Sequence, residues 1–388
     1  MEVIHRGFDG LDVAFKAKIP TALAVELQSA KEYAVEQSEE TRITFGSVTM
    51  KVGETGAKGG YAFRCDTGKF GAIWFFKKPN KNDPWGIRVS VNSLPLAIYG
   101  LGWVRNYLYE ILHGLGITTT DHGVSISRVD YAIDILAPEF VLDANNFVMH
   151  PRCNRKKHDE ITEISENGHS GRTTSVTIGK NPGRQVIIYD KREEVIAKRK
   201  VEWWEIWNAN RKQPDQPPLD MGPVRHRIWR IEFRACKRHL KDTWGVTSWS
   251  DLDDKLGDIY AKMVADIRYA DPTSDTNRAR WPNASIWKIA CNEMKEDLFE
   301  MRTGADPVRI KEVIRDEHRR VLQSQKLGLD VSIAALNGVC PTEFDKFLHD
   351  ETRVIKILSR KHKVPIEERI AKSKAKYVFI QCEPSQDS

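Results

Sequence analysis

Three short segments of the chain carry residue types whose spacing suits chemistry on phosphate groups. The first is Arg128–Ile135, which alternates with the period of a β-strand and places Arg128, Asp130 and Asp134 on one face. Carboxylates about 7 Å apart along a strand repel each other unless a cation or a basic group compensates. The segment therefore predicts a metal site or half of an ion-pair network, and an exposed polar sheet face is the simpler alternative.

The second segment, Arg230–Arg234, has the same alternation and puts Arg230, Glu232 and Arg234 on one face. If the two strands are neighbours, Asp130 and Glu232 could share a divalent cation, because Mg²⁺ and Mn²⁺ prefer oxygen ligands. The flanking arginines would then hold phosphate oxygens. Salt bridging across the sheet is the competing interpretation.

The third segment centres on Tyr189, which ends an apolar strand and is followed at once by Asp190 and Lys191. A phenol with a pKa of about 10 is a poor nucleophile at neutral pH. Attack on phosphorus therefore needs a nearby cation, and either Lys191 or a bound metal could supply it. Taken alone, a tyrosine at a strand end is more simply explained as a rim residue with its hydroxyl in water.

Taken together, these segments resemble the replication initiation factor family of rolling-circle plasmids and some filamentous phages. The resemblance covers roughly residues 60 to 240, and its most specific part is the block Tyr-Asp-Lys-x-x-Glu from Tyr189 to Glu194. It implies an enzyme that nicks one strand of a double-strand origin, with origin DNA as its partner in both double-stranded and extruded single-stranded form. Tyr189 would attack the scissile phosphate, keep the 5′ phosphate as a phosphotyrosine and release a 3′ hydroxyl as primer, and joining would reverse this transesterification.

The resemblance also implies a Mg²⁺ or Mn²⁺ site, a homodimer and a host helicase of the UvrD type as partner. The chain departs from the family at Lys180-Asn181 and at Ile187, so Arg184 or Arg230 would have to substitute in gripping the phosphate. The predicted site residues are Tyr189, Lys191 and Arg230 for catalysis, Asp130, Glu232 and Asp134 for the metal, and Arg128, Lys180, Arg184, Trp204 and Arg234 for DNA binding.

Trp204 belongs to an aromatic cluster, Trp203-Trp204-Glu205-Ile206-Trp207, on a predicted helix. Large rings at these positions could stack on unpaired bases. They could equally form an apolar face that docks the helix on the sheet. Three rings within five residues cover more than one helix face, so contact with DNA or a second subunit stays open beside the packing interpretation.

The elements that must position these residues are mostly strands in the first part of the chain and helices after about residue 250. Strand patterns at Ser125–Leu136, Ser175–Tyr189 and His226–Ala235, with a helix at Glu193–Asn210, predict an α+β fold. We expect a central antiparallel sheet with flanking helices, followed by a helical carboxyl-terminal domain. The predicted divisions are a catalytic domain at 1–245, a helical connection at 246–305 and a basic helical region at 306–388.

The pattern at Ile333–Leu348 predicts a helix, a turn at Gly338 and a second helix. Both helix-turn-helix DNA-binding proteins and ordinary helical hairpins have this pattern. Basic residues concentrate in two stretches. Residues 151–240 hold 20 Lys/Arg against 12 Asp/Glu, and Arg353–Lys376 holds nine Lys/Arg against two Glu. Such patches usually bind phosphate backbones.

The 388-residue chain, with a net charge of +6, has no signal pattern and no apolar run long enough for a membrane span. Six cysteines without a Cys-x-x-Cys pair fit a reducing cytoplasm. A non-catalytic DNA-binding regulator is the alternative function and explains the charge. It leaves the aligned carboxylates unexplained, because acidic groups facing DNA repel it unless a cation neutralises them.

Overall fold

A computed structural model of the chain describes residues 1–380 except 81, 121–122, 150–163, 170, 212–215, 223–225, 295–297 and 299–301. The chain divides into two compact units, Met1–Asp306 and Pro307–Ser388. Part of the basic stretch at 151–240 lies outside the described residues. No described helix is long and apolar enough to cross a membrane.

The strands of the first unit are β1 (Glu2–Phe15), β2 (Thr41–Phe45), β3 (Val48–Val52), β4 (Tyr61–Asp66), β5 (Ala72–Lys77), β6 (Ile87–Val91), β7 (Val124–Leu136), β8 (Phe147–Met149), β9 (Ile164–His169), β10 (Arg172–Gly179), β11 (Arg184–Asp190), β12 (Ile228–Cys236) and β13 (Ile267–Tyr269). Its helices are α1 (Thr21–Gln37), α2 (Ser93–Gly114), α3 (Lys191–Ala197), α4 (Glu202–Ala209), α5 (Trp249–Asp266) and α6 (Ser285–Glu293). The second unit contains α7 (Pro307–Leu336), α8 (Phe344–Lys361) and α9 (Ile366–Lys376).

Eleven strands form one antiparallel sheet in the order β2-β3-β4-β5-β6-β1-β7-β12-β11-β10-β9, and β8 pairs with β13 separately. The predicted α+β class with a central antiparallel sheet and a helical carboxyl-terminal region is confirmed. The strands that carry the three chemical segments are consecutive neighbours, β7, β12 and β11. Their side chains therefore share one face across three strands.

Opposite faces of this central part of the sheet are covered by different helices. On one face, Tyr260 of α5 packs against Tyr131, and Trp287 of α6 packs against Phe233. On the other, Trp203 of α4 packs against His5. Residues 246–305, predicted as a separate helical connection, therefore belong to the first unit, because α5 and α6 complete the core beneath the strands.

The predicted helix Glu193–Asn210 is two helices in the structure. The chain leaves α3 through Arg199, whose φ of 49° lies in the left-handed region, and starts again at α4. This break turns the tryptophans of α4 towards the sheet. Sequence periodicity misses it because Arg199 is not a residue typical of a helix end.

The second unit begins with the 30-residue helix α7, which ends at Leu336 and is followed by Gly338 with a φ of 66°. Helix α8 then begins at Phe344. The structure therefore has a turn between two helices at the position where the sequence predicts a turn. None of the residues of α8 is buried. DNA reading by this helix pair stays a prediction.

Candidate active site

The site lies on the face of β7, β12 and β11 that α3 and α4 cover. Strand pairing places Asp134 opposite Arg230, and Arg230 opposite Tyr189. One step along the sheet, Ala132 lies opposite Glu232 and Glu232 opposite Ile187. The register thus brings the predicted nucleophile and the predicted carboxylates to one face.

Tyr189 lies at the end of β11, where its hydroxyl meets the first residue of α3. The Lys191 Nζ donates to the Tyr189 Oη at 3.4 Å, and the Lys191 side chain is only 2% exposed. The same ammonium contacts the Glu194 Oε2 at 2.5 Å and lies 4.8 Å above the Trp203 ring. Glu194 also binds Lys200, at 2.8 Å. The predicted pairing of Tyr189 with Lys191 is thus present in the structure.

Helix α3 begins at this point because Asp190 caps it. The Asp190 Oδ1 accepts a hydrogen bond from the Glu193 backbone N–H at 3.0 Å. The Asp190 Oδ2 binds Arg172 at 3.1 Å, and Arg227 lies 3.7 Å away. The cap fixes the first turn of α3, so Lys191 and Glu194 are held at one helix face three residues apart.

Asp134 and Arg230 form a closed ion pair in place of the metal and phosphate contacts that the sequence predicts for them. Arg230 binds both oxygens of Asp134, at 2.5 and 2.7 Å, and the Asp9 Oδ1 at 2.5 Å. The Trp207 Nε1 donates to the Asp134 Oδ2 at 2.8 Å, and the Arg230 guanidinium lies 4.4 Å above the Trp203 ring. Both charged side chains have no solvent exposure. We therefore correct the predictions that Asp134 is a metal ligand and that Arg230 is a phosphate ligand, because their polar atoms already bind each other.

Asp130 and Glu232 are different, since each is only half satisfied. Arg128 donates from Nε to the Asp130 Oδ2 at 2.7 Å, and Arg234 donates from Nε to the Glu232 Oε1 at 2.6 Å. The Asp130 Oδ1 and the Glu232 Oε2 are buried and have no hydrogen-bond partner within the described part of the chain. Gly10 lies opposite Asp130, and a Cβ there would come within 2.6 Å of the Asp130 Oδ2. A side chain at this position would displace the Asp130 carboxylate from its present place.

The electrostatics of these groups follow from burial and their neighbours. Burial raises the pKa of Asp130 to about 7, with Glu232 adding to the rise and Arg128 opposing it. Burial and then Glu232 raise the pKa of Tyr189 well above its ordinary range, while Arg230 opposes that rise. Burial and then Arg230 lower the pKa of Lys191. Burial alone would raise the pKa of Asp134, but Arg230 brings it below its ordinary value.

The orphaned oxygens of Asp130 and Glu232 are of the chemical type that hard divalent cations prefer. Buried carboxylate oxygens without a donor carry a free-energy cost that a cation removes. Within the described ranges no group of three or more His, Cys, Asp or Glu side chains converges on one point. Mg²⁺ commonly binds through one or two carboxylates together with waters and substrate phosphates, so a pair suffices.

A groove of about 470 Å³ opens beside Tyr189 between α3 and strands β10 and β11. Thr174, Ser175 and Thr177 line it from β10, and Ile187, Tyr189 and Arg234 line it from the next two strands. On the helix side it is lined by Asp190, Glu193, Glu194, Ala197 and Lys198. The nucleophile candidate thus faces a space large enough for a ligand of nucleotide size.

Some of the predicted DNA-binding residues lie beside the candidate site, and others lie away from it. Arg128 and Arg234 flank the two carboxylates, and their side chains are 35% and 30% exposed. Arg184 lies on the opposite face of β11 from Tyr189 and binds Asp266 at 2.8 Å. Lys180 is exposed in the turn between β10 and β11, at the other end of that hairpin from Tyr189. Only the first two belong to the site.

Trp204 does not offer a ring for base stacking in this structure. Its side chain is 8% exposed and packs edge to face with Trp207, with ring centroids 4.9 Å apart. Trp203 and Trp207 are fully buried. The cluster therefore docks α4 on the sheet, and the predicted stacking role of Trp204 is corrected.

Asp9 is the site residue that the sequence pattern did not reveal. It lies at an irregularity of β1, between the pairs formed by Phe8 and Gly10 with β7. Burial would raise its pKa, but Arg230 and then Lys191 lower it to about 2. The part of β1 that carries Asp9 does not alternate strictly between buried and accessible residues, so period-2 reasoning gives no signal for it.

Comparison with known proteins finds limited similarity. No family model matches the chain. An uncharacterised protein, ORF430 of Pseudomonas phage Pf1, is 28% identical over 208 residues, which is 50% of this chain and 46% of that protein. The chain thus spans about half the length of this relative. A solved rolling circle replication initiator protein from Geobacillus stearothermophilus overlaps 76% of this chain and 98% of its own, with a TM-score of 0.36 and 17% identity.

Proposed function

We propose that this protein is a rolling-circle replication initiator that nicks and rejoins one strand of origin DNA. The observation that carries the proposal is the meeting of three groups on one sheet face. A strand-end tyrosine touches a buried lysine, and two half-satisfied carboxylates lie on the neighbouring strands. A nucleophile, a cation beside it and a place for a second cation are the parts that transesterification at phosphorus needs.

In the nicking step the Tyr189 Oη attacks the scissile phosphorus. An O–P bond to tyrosine forms, the P–O3′ bond breaks, and the departing 3′ oxygen takes up a proton. The phenol loses its proton to solvent as the attack proceeds, and the product is a 5′-phosphotyrosine with a free 3′ hydroxyl. In rejoining, that 3′ hydroxyl attacks the phosphotyrosine and Tyr189 leaves.

Lys191 would stabilise the phenolate form of Tyr189, because its ammonium donates a hydrogen bond to the phenol oxygen. Glu194 holds that ammonium in place from the other side. Arg230 acts at a distance: closed in its ion pair, it adds a fixed positive charge opposite Tyr189. Arg128 and Arg234 at the exposed edge are placed to orient phosphate oxygens.

Asp130 and Glu232 would hold Mg²⁺ or Mn²⁺, which supplies charge neutralisation at the phosphate when bound. The two carboxylates then face no mutual repulsion, since the cation replaces the proton that burial otherwise retains on Asp130. Arg128 and Arg234 orient the carboxylates by occupying their other oxygens. A homodimer and a helicase partner remain expectations from the family resemblance.

The first test compares the wild-type protein with Tyr189→Phe on a supercoiled plasmid carrying its own gene and flanking sequence, with Mg²⁺ or Mn²⁺. We expect the wild type to give nicked circles and a covalent adduct on the 5′ end. We expect Tyr189→Phe to give neither, because no other atom of that side chain can form the ester.

Tyr33→Phe, an exposed tyrosine of α1, is the matched control and should nick as the wild type does. Nicking by Tyr189→Phe would show that another residue is the nucleophile. If both proteins bind the plasmid and neither nicks it with either metal, the DNA-binding regulator replaces the nickase and the carboxylates are structural.

A further inference from the structure

The second unit has a groove of its own between helices α7 and α9, with a volume of about 370 Å³. Its apolar lining comes from both sides, with Leu322 on α7 and with Ile370, Tyr377 and Ile380 on or just after α9. The rings of His318 and Tyr377 join the two sides, edge to face, with centroids 6.0 Å apart. Leu322 and Ile370 are each 49% exposed. An apolar group that fills this α7–α9 groove would remove their surface from water, which favours binding.

The polar part of the lining is basic or neutral. It consists of Arg315, His318, Arg319, Ser373 and Lys374, so no carboxylate of the described residues lines the groove. A carboxylate does lie nearby, since Arg319 binds the Asp316 Oδ1 at 3.1 Å. The two side chains of that pair are 62% and 49% exposed, so water screens the pair, and the guanidinium keeps further N–H donors for a ligand.

The two helices that form the groove are also basic along their length. Residues 307–326 hold six Lys/Arg against three Asp/Glu, and Ile366–Lys376 holds four Lys/Arg against two Glu. The α7–α9 groove therefore has an apolar interior between two helix segments of net positive charge, which favours an anionic ligand with an apolar part.

We propose that the α7–α9 groove binds an acidic peptide segment of a protein partner and buries an apolar side chain of that segment. The apolar side chain would cover Leu322 and Ile370. Carboxylates before and after it would face Arg315 and Arg319 on α7 and Lys374 on α9. The inference goes beyond the proposed nicking reaction and does not depend on it, because the groove lies within the second unit.

The chemistry of the groove favours such a peptide over other anionic ligands. Phosphate backbones bind exposed cations and gain nothing from an apolar cavity between them. A fatty acid carries one anionic group, whereas the cations of the groove lie on two helices. A peptide with several carboxylates around one apolar anchor matches both the cavity and its cations.

The test measures the binding of unlabelled peptides to the full-length protein by isothermal titration calorimetry. The probe is acetyl-Asp-Asp-Leu-Phe-Asp-Asp-amide, whose charges all come from side chains. One control peptide has Asn in place of every Asp, and the other has Gly-Ser in place of Leu-Phe. We expect the probe to bind the wild type at least about tenfold more tightly than either control, which corresponds to about 1.4 kcal/mol.

Two neighbouring arginines of α7 give a matched pair of charge variants. Arg319→Glu should raise the Kd of the probe at least about tenfold, because it places a carboxylate in the lining of the groove. Arg320→Glu is the control, since Arg320 also binds a carboxylate three residues earlier and is 64% exposed, but does not line the groove. In roughly 0.15 M salt, where charges are screened over about 8 Å, it should change the Kd by less than about threefold.

Two small exposed residues of α9 give a matched pair for the cavity. Ser373→Trp should abolish measurable binding of the probe, because the indole fills the groove that Ser373 lines. Ala371→Trp should bind as the wild type does, since Ala371 is exposed and does not line the groove. Thermal unfolding should show that all four variants fold.

Equal affinity for the three peptides, or equal losses in Arg319→Glu and Arg320→Glu, would overturn the peptide site. Three further results would overturn it by assigning the groove to another occupant. The occupant is nucleic acid if a 15-nucleotide oligothymidine displaces the probe and binds more weakly to Arg319→Glu alone. It is a second copy of the chain if Arg319→Glu changes the sedimentation of the protein, and it is the chain's own end if the probe binds only after residues 381–388 are deleted.

Discussion

Two acidic clusters lie on the same sheet face and differ in how completely they are satisfied. Asp134 gives both oxygens to Arg230 and Trp207, and Arg230 also binds Asp9. Asp130 and Glu232, one step along the same strands, each keep one buried oxygen without a partner in the described chain. The first cluster is closed by its own arginine, whereas the second is left open.

Strand alternation alone therefore cannot separate a structural carboxylate from a candidate ligand. Asp130 and Asp134 have the same spacing, face and burial, but a single neighbour decides between them. Arg230 lies directly opposite Asp134, whereas Arg128 and Arg234 reach Asp130 and Glu232 from the half-exposed edge and hold one oxygen of each. An open pair costs stability, and proteins keep such costs mainly at functional sites.

The largest expected effect is on the closed cluster. Arg230→Met should lower the free energy of unfolding by about 3–5 kcal/mol, because it leaves Asp134 and Asp9 as buried charges without their partner. Urea unfolding at neutral pH measures it.

Arg234→Met is the comparison on the same strand and face. Its side chain is 30% exposed, so water can reach the carboxylate of Glu232 that it leaves, and the loss should be smaller, at about 1–3 kcal/mol. Equal losses of unfolding free energy in the two variants would mean that the two clusters do not differ in how completely their charges are satisfied.

Substitutions in the open cluster, Asp130 and Glu232, should reduce activity strongly and stability only slightly, which is the opposite of the effect expected for the closed cluster. Glu232→Gln should reduce the nicking rate by at least about 100-fold, since the amide keeps a hydrogen-bonding oxygen for Arg234 but loses the charge that holds a cation. The supercoiled plasmid assay with a Mg²⁺ and Mn²⁺ titration measures the rate.

Glu166→Gln, at an exposed edge-strand position, serves as the control and should nick normally. Wild-type nicking by Glu232→Gln at all metal concentrations would remove Glu232 from the proposed metal site.

The clusters also show how far sequence reasoning reaches. Period-2 alternation places Asp130, Asp134, Arg230, Glu232 and Arg234 correctly on one face, because side-chain direction in a strand is a local property. Which of them pair is decided by strand order and register, which depend on contacts between distant segments. The same limit explains why Asp9 was missed and why Asp134 was predicted as a ligand.

The helices show the same contrast between what local sequence patterns predict and what contacts between distant segments decide. The sequence predicts helices after about residue 250, and α5 is one of them, since amphipathic periodicity is local. The break at Arg199 and the burial of Trp204 depend on how α4 meets Asp134 and His5 across the chain. Those contacts are not encoded in the spacing of the tryptophans.

The smallest effect expected is a pH dependence that distinguishes the open cluster from the closed one. Burial and Glu232 raise the pKa of Asp130 to about 7 from an ordinary 3.8. Its contribution to stability is therefore complete at pH values below about 4 and is lost as the pH rises through about 7. Without metal, the wild type should lose roughly 2 to 3 kcal/mol of unfolding free energy between pH 5 and pH 8 through this group. Asp130→Asn, which cannot ionise, should be flatter over that range in urea unfolding with a chelator present. Saturating Mg²⁺ should offset the loss in the wild type only, and a variant with the same pH slope as the wild type would place the titrating group elsewhere.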